Sequence, residues 1–341
     1  MTKDYLSKEA LLAWLDECGK QRLVVAPQQV EDMLLFAPVR DSSKVVLDYI
    51  NTQLSPKEWF LPKSDALLRV EGLRPTEWTL KPGEEIREVM IFGMRPCDSW
   101  GTKILDKPYL SSPADSRYLE RRTKSLTVGL ACVNAATSCF CTSMGTAPDD
   151  SRHNDVFLAP AAGGFKVKAI TDKGKEILAL ANLQDNNAAP AAPPTVSTVP
   201  SKGVEKAFRN NFDSKYWDGV ADRCIHCNIC SYVCPNCYCF DMRDLSIHGS
   251  AGGCERVRTW ESCQSPAFTK LAGGHNPRPT KGSRMRQRFA HKLLYFHDEY
   301  GDYLCSGCGR CVWACPVNID IREIISDLQK MENSTDKGSG K

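Results

Sequence analysis

Apolar and polar positions divide the chain into stretches of different rhythm. Over residues 1–184, short apolar runs alternate with amphipathic segments. Ser7 precedes KEALLAWLDE, whose apolar positions recur at helical spacing, so a helix capped by Ser7 is expected to reach about Glu17. Short β-rich runs follow at 23–26, 33–36, 45–48, 67–70, 89–92 and 126–131. Two more, at 156–159 and 165–170, flank Gly163-Gly164 as a hairpin, and a helix over 172–181 closes the unit. This alternation predicts a mixed α/β (or α+β) domain. Residues 185–203, DNNAAPAAPPTVSTVPSKG, lose all periodicity and read as a semi-extended linker that supplies reach and spacing. Helical spacing returns over 204–220, where Phe208, Phe212, Tyr216 and Trp217 form an aromatic stripe expected to pack on the cysteine-rich loop after it. The polar residues 331–341 read as a frayed tail.

Candidate chemistry enters in the last third. Cys224, Cys227, Cys230 and Cys234 stand at C-x-x-C-x-x-C-x-x-x-C with Pro235 following; Cys305, Cys308, Cys311 and Cys315 repeat the spacing before Pro316. Three thiolates two residues apart can wrap three corners of a 4Fe–4S cube in one loop. The fourth lies where a helical turn carries it to the neighbouring cube, which is the two-cluster ferredoxin pattern. Cys224, Cys227, Cys230 and Cys315 then hold one cube, and Cys305, Cys308, Cys311 and Cys234 the second. Structural zinc is the competing metal, but its sites present two separated ligand pairs, not three cysteines within seven residues. Residues 204–330 are therefore expected to be a mainly α, bacterial ferredoxin-like dicluster domain. It is interrupted by a long insertion, 235–304, whose Cys237, Cys239, Cys254 and Cys263 suit either another metal site or buried thiols shielding the cubes.

Four more cysteines belong to the first domain. REVMIFGM ends just before Arg95-Pro96-Cys97-Asp98, and SLTVGLA just before Cys132, with Cys139-Phe140-Cys141 in the next loop. Ligands gather at the carboxyl ends of strands in open α/β sheets. If these two strands are neighbours, Cys97, Cys132, Cys139 and Cys141 converge, and four thiolates there suit a third cube, a zinc ion, or no metal at all.

Bulk properties narrow the classes. The 341 residues suffice for about two domains with separate cores. With 42% hydrophobic and 25% charged residues the composition is that of an ordinary globular protein, and a net charge of +3 gives no argument for nucleic acid. Seventeen cysteines would suit a secreted disulfide scaffold, but the opening MTKDYLSKEALLAWLDE has no apolar signal core, so reduced, metal-bound cysteines in a cytoplasm are expected. The longest apolar stretch, 33–39, is too short for a bilayer, leaving any membrane attachment to a partner. Basic residues cluster at Arg278, Lys281, Arg284, Arg286, Arg288 and Lys292. A nucleic-acid patch and a solvated helix face are two readings; between two cluster runs, cations that offset anionic cubes or dock an acidic partner are the better one. No G-x-G-x-x-G loop, phosphate loop or H-E-x-x-H pair is present, and no Ser-His-Asp or Cys-His arrangement survives the cluster reading.

The stretches RPCD (95–98), CFCTSMGTAP (139–148), CPNCYCFD (234–241), AGGHNPRP (272–279) and CSGCGRCVWACPVNIDI (305–321) together resemble the iron–sulfur β subunit of cytoplasmic hydrogenases (sulfhydrogenases), and are similar also to the A subunit of anaerobic sulfite reductase. The resemblance spans both domains, with the linker as its main gap. It implies a non-catalytic electron-relay subunit in a hetero-oligomer, between a flavin subunit that handles NAD(P)H and a catalytic subunit of hydrogenase, sulfite-reductase or heterodisulfide type. It also favours the third cube at Cys97, Cys132, Cys139 and Cys141, and it covers Cys237, Cys239 and Cys263 without assigning them a role. Cys18 and Cys254 fall in no shared motif. Two other functions compete: an oxidoreductase whose first domain binds flavin or deazaflavin itself, and a metal-stabilised nucleic-acid-binding protein.

Overall fold

The computed structural model describes residues 3–72, 75–246 and 253–338. The first half runs β1 (Tyr5–Ser7), α1 (Lys8–Gly19), β2 (Leu23–Val30), β3 (Met33–Pro38), β4 (Ser64–Glu71), β5 (Thr79–Pro82), β6 (Val89–Met94), α2 (Pro96–Leu110), α3 (Ser116–Lys124), β7 (Ser125–Leu130), β8 (Val156–Ala161), β9 (Gly164–Ala169) and α4 (Asp172–Leu178). The second half runs α5 (Val204–Asn210), α6 (Tyr216–Asp222), α7 (Ile229–Tyr232), β10 (Phe240–Ser246), β11 (Cys254–Trp260) and α8 (Lys281–Ala290). A π-helical turn (His291–Tyr295) then leads through α9 (Phe296–Tyr300) and α10 (Arg310–Trp313) to α11 (Ile321–Gly338).

A seven-stranded sheet in the order β1-β9-β8-β7-β6-β2-β3 organises the first half. Its centre, β2, β6, β7 and β8, is parallel, and the hairpin partners β3 and β9 with β1 flank it antiparallel. The near-continuous apolar runs of β6 and β7 follow from burial on both faces. Alternate residues go to opposite sides: Met90 and Phe92 pack with Leu11 and Trp14 of α1 and Ile177 of α4, while Val89 and Ile91 pack with Leu105 and Tyr109 of α2. α1 starts on the Ser7 side chain, which accepts from Ala10 N.

The second sheet joins distant parts of the chain. β10 and β11 form a hairpin inside the segment between the two cysteine runs, and β11 pairs antiparallel with β4 to give the order β10-β11-β4-β5. The insertion thus completes a sheet begun some 190 residues earlier in the chain. The helices of the second half share one core: Phe208, Trp217, Met285, Phe289, Ile325 and Leu328, together with Phe140 and Met144 from the Cys139–Cys141 loop.

Three local expectations change. Residues 45–48 form no strand; Val45 makes a single bridge to Gln28 and its side chain plugs the first core. The helix expected over 204–220 is two, because Asn211-Phe212-Asp213-Ser214 takes over the backbone locally: Ser214 Oγ accepts from Tyr216 N, and the Trp217 indole donates to Asn211 O. Residues 331–338 continue α11, with Glu332 accepting from Asn210 Nδ2 at 2.9 Å; 339–341 lie outside the described residues. The Ala/Pro-rich stretch 185–203 is irregular but attached: Ser197 N donates to Cys139 O, Val199 N to Ser143 Oγ, and Ser201 Oγ to Ser143 O. Among the described residues, no helix is long and apolar enough to cross a membrane.

Candidate iron–sulfur sites

β6 and β7 are parallel neighbours, so their carboxyl ends lie together. Cys97 enters the first turn of α2 directly after β6, and Cys132 follows β7; with Cys139, Cys141, Val196, Gly307 and Cys308 they line one enclosed apolar cavity. Arg95 ties the strand ends. Its buried guanidinium donates to Leu130 O and Ala131 O (2.8 Å for the latter) and to Tyr49 O, and stacks 3.9 Å over the Tyr49 ring. Asp98 accepts from Arg310 Nη1 and Nη2 at 2.5 and 3.0 Å, and Arg310 also donates to Thr52 O and Oγ1. Asp98 and Arg310 are each only 1% exposed at the side chain. This ion pair clamps α2, whose first turn holds Cys97, to α10, which carries Cys311.

The second cysteine loop lies flat on the first domain. Phe140 N donates to Gly307 O, and Asn51 Nδ2 to Cys308 O, both at 2.9 Å. Gly307 has φ +66, and a Cβ there would stand 2.6 Å from both Cys141 Cα and Phe140 O; Gly309, with φ +74, would meet Ser138 O at 2.5 Å. The glycines of C-S-G-C-G-R-C are needed for this approach.

Cys224, Cys227, Cys230 and Cys315 line a second cavity together with Cys311, Arg288, Gln264, Phe289 and Ile319. Backbone N–H groups already face the sulfurs, from His226 to Cys224 (3.4 Å) and from Ile319 to Cys315 (3.2 Å). Cys234 receives Asn236 N at 3.4 Å and Lys292 Nζ at 3.3 Å, the latter also donating to Leu304 O. Lys292 feels Cys234 and Cys305 as neighbouring charges, and Cys311 feels Cys305 and Cys308, so these sulfurs surround one buried region. The structure therefore gathers Cys224, Cys227, Cys230 and Cys315 around one cavity and Cys97, Cys132, Cys139 and Cys141 around another, with Cys311 on the wall of the first and Cys308 on that of the second. Among the described residues, no three Cys, His, Asp or Glu side chains close on a point as they would around one metal ion.

Half of the basic stretch faces inwards, while Lys281 is exposed and Arg278 and Arg286 are half-buried. Arg284, Arg288 and Lys292 are buried, Arg288 donating to Cys230 O (2.7 Å), Ser231 Oγ (3.2 Å) and Cys237 Sγ (3.6 Å). Burial opposes the charge on Lys292, yet the Cys234 and Cys237 sulfurs outweigh it and hold the ammonium above its ordinary range. Lys57, which nothing in its sequence surroundings marks, is buried with Nζ on Cys237 O (2.8 Å) and 3.9 Å over the Trp260 ring. Burial pushes its pKa down to about 8. At the first-domain site burial pushes Cys132 up to about 11 and Cys141 up to about 12, so a bound cation is what would ionise them. Cys18 lies in the first core, its thiol raised to about 12 by burial, and Cys254 opens β11, away from every group above.

Comparison with known proteins bears on the family of the chain and on its dicluster segment. Residues 223–319 match a family profile described as a 4Fe–4S dicluster domain. The chain is 32% identical over 331 residues to the β subunit of sulfhydrogenase 2 from Pyrococcus furiosus, covering 93% of this chain and 94% of that protein. No solved structure matches.

Proposed function

Since the chain belongs to the sulfhydrogenase β-subunit family and carries a 4Fe–4S dicluster domain, we propose that it relays single electrons through three clusters, between a flavin subunit handling NAD(P)H and a catalytic subunit of hydrogenase or sulfur- or sulfite-reductase type. Cys224, Cys227, Cys230 and Cys315 hold the first cube, Cys234, Cys305, Cys308 and Cys311 the second, and Cys97, Cys132, Cys139 and Cys141 the third. Bound there, the cubes supply one-electron chemistry that the side chains lack.

One observation carries the reading: the middle set shares walls with both others. Cys308 lines the cavity of Cys97, Cys132, Cys139 and Cys141, and Cys311 lines that of Cys224, Cys227, Cys230 and Cys315. The Cys305–Cys311 loop thus adjoins both other sets. Arg288 and Lys292 place positive charge beside the C-terminal sets, which favours the more reduced, more anionic form. The Asp98–Arg310 pair fixes the third set against the middle one. At the Cys224 end, Cys227, Ile225, Ile229 and Trp313 are exposed, and apolar surface at the end of a relay is where a redox partner docks.

A flavin held by this chain alone has less support. The open clefts of the large sheet lie at its amino edge, where Glu58, Glu84, Glu85, Glu88 and Glu176 are balanced by Arg22, Arg87, Arg121, Lys124 and Lys173, and no glycine in either lining brings backbone N–H groups to a flavin phosphate. Protein purified without oxygen should be brown and contain about twelve iron atoms per chain, four per cube; about eight would remove the first-domain site, and zinc without inorganic sulfide would overturn the relay. Purification from the native cell with its partners attached identifies the flavin and catalytic subunits.

A further inference from the structure

The Ala/Pro-rich stretch between the two halves of the chain is not built as a spacer. From residue 184 to 201 it is tied down at short intervals. Gln184 pairs with Tyr5 of β1, Pro190 bridges Ala161 of β8, and Ala191 N donates to Pro160 O at 2.7 Å. Ser197 N then donates to Cys139 O and Ser197 Oγ to Thr137 O, both at 3.1 Å. Val199 N and Ser201 Oγ close on Ser143, at 2.9 Å to its Oγ and 2.7 Å to its O. A segment whose task is reach needs no such attachments. Pro190, Pro193, Pro194 and Pro200 fix its backbone angles besides.

Between these ties the segment passes the first-domain cavity. Of residues 190–200, Pro194, Val196 and Val199 are half-buried and the rest are exposed. Val196 lines the cavity of Cys97, Cys132, Cys139 and Cys141, and it packs against the group Cys97, Cys141 and Cys308. Its side chain therefore stands where the first-domain set meets the second cysteine loop. Next to it, Ser197 Oγ shares Thr137 O with Arg322 Nη1 of α11. One carbonyl thus fastens the stretch, the approach to Cys139 and the last helix.

We infer that residues 190–201 are a strap, and that Val196 is an apolar wall keeping water from the cube assigned to Cys97, Cys132, Cys139 and Cys141. The cube supplies the electron; the strap sets the medium around it. A dry apolar wall disfavours the more anionic, reduced state, and a hydroxyl or water in its place favours that state. The inference rests on the three-cluster reading above, and its test separates the two.

Oxygen-free holoprotein is compared with its Val196→Ser and Val196→Ile variants by iron content and by potentiometric titration of the cluster signals. Val196→Ser leaves every backbone tie in place. It should keep the wild-type iron content and raise one midpoint potential, the other two staying where they are, while Val196→Ile should titrate as the wild type does. Limited proteolysis of the wild type should spare residues 190–201. About eight iron atoms per wild-type chain refute the third cube instead. With about twelve, equal potentials in Val196→Ser and the wild type overturn the wall. Cleavage within 190–201 that leaves all three potentials unmoved overturns the strap. Should Val196→Ser shed iron, Val196→Thr decides, since it adds the hydroxyl at nearly constant volume: an unmoved potential there overturns the inference too.

Discussion

The first-domain cysteine site and the Cys224 loop solve the same problem by opposite means. In the Cys224 loop three sulfurs come from seven consecutive residues, and local backbone turns them: His226 and Asn228 adopt φ +56 and +63. At the first-domain site the four sulfurs come from a helix start, a strand end and a crossing loop, and local turns hold only Cys139, whose N–H donates to Ala136 O, and Cys141, which opens a 3-10 turn. Position there depends on the parallel pairing of β6 with β7, on Arg95 joining the strand ends, and on the second cysteine loop lying over the top. The Cys224 loop should therefore keep its geometry through many distant changes, and the first-domain site should not.

The largest expected effect comes from the clamp. Asp98→Ala leaves Arg310 buried and unpaired, a cost of about 3–5 kcal/mol in denaturant unfolding. It should release the iron of the first-domain site while leaving the signal of the Cys224 set. Asp98→Leu with Arg310→Met should recover much of the stability, and no recovery would show that the pair does more than neutralise itself. Next is Gly307→Ala. With its Cβ 2.6 Å from backbone, it should cost about 1–3 kcal/mol and lower iron at the two sets that meet there. Gly301→Ala has a similar φ, +74, but open space, so only its backbone strain of about 1–2 kcal/mol should appear, with iron unchanged. A smaller effect is expected of Lys292→Met. Potentiometric titration should find the C-terminal cubes harder to reduce, and the first-domain cube nearly unmoved. Smallest is Cys254→Ala, which should leave iron content and spectra as they were.

The same contrast explains what could be read without coordinates. The paired C-x-x-C-x-x-C-x-x-x-C runs are local, and so are the Ser7 cap, the Gly163-Gly164 hairpin and the apolar runs of β6 and β7; each carries its instruction within a few residues. Cys97 and Cys132 were visible as candidates because both come directly after such runs. Their convergence depended on strand order, which no single segment encodes. The pairing of β11 with β4, the burial of Lys57 and the reach of Arg310 to Asp98 are long-range consequences of packing. Arg284, Arg288 and Lys292 fall on one helical face by spacing alone, but whether that face meets water or sulfur is decided by what lies opposite. The break at residues 211–215 is hidden in the sequence because the aromatic stripe keeps its period across it.

The strand exchange between β4 and β11 bears on how the molecule is made. A ribosome releases β4 and β5 long before β11, so for most of synthesis the small sheet has an open edge, and Cys97, Cys132, Cys139 and Cys141 stand without the Gly307 loop above them. On the three-cluster reading proposed above, iron and sulfide are sealed in only once residues near 310 have emerged and folded back, which makes maturation a late event on a nearly finished polypeptide.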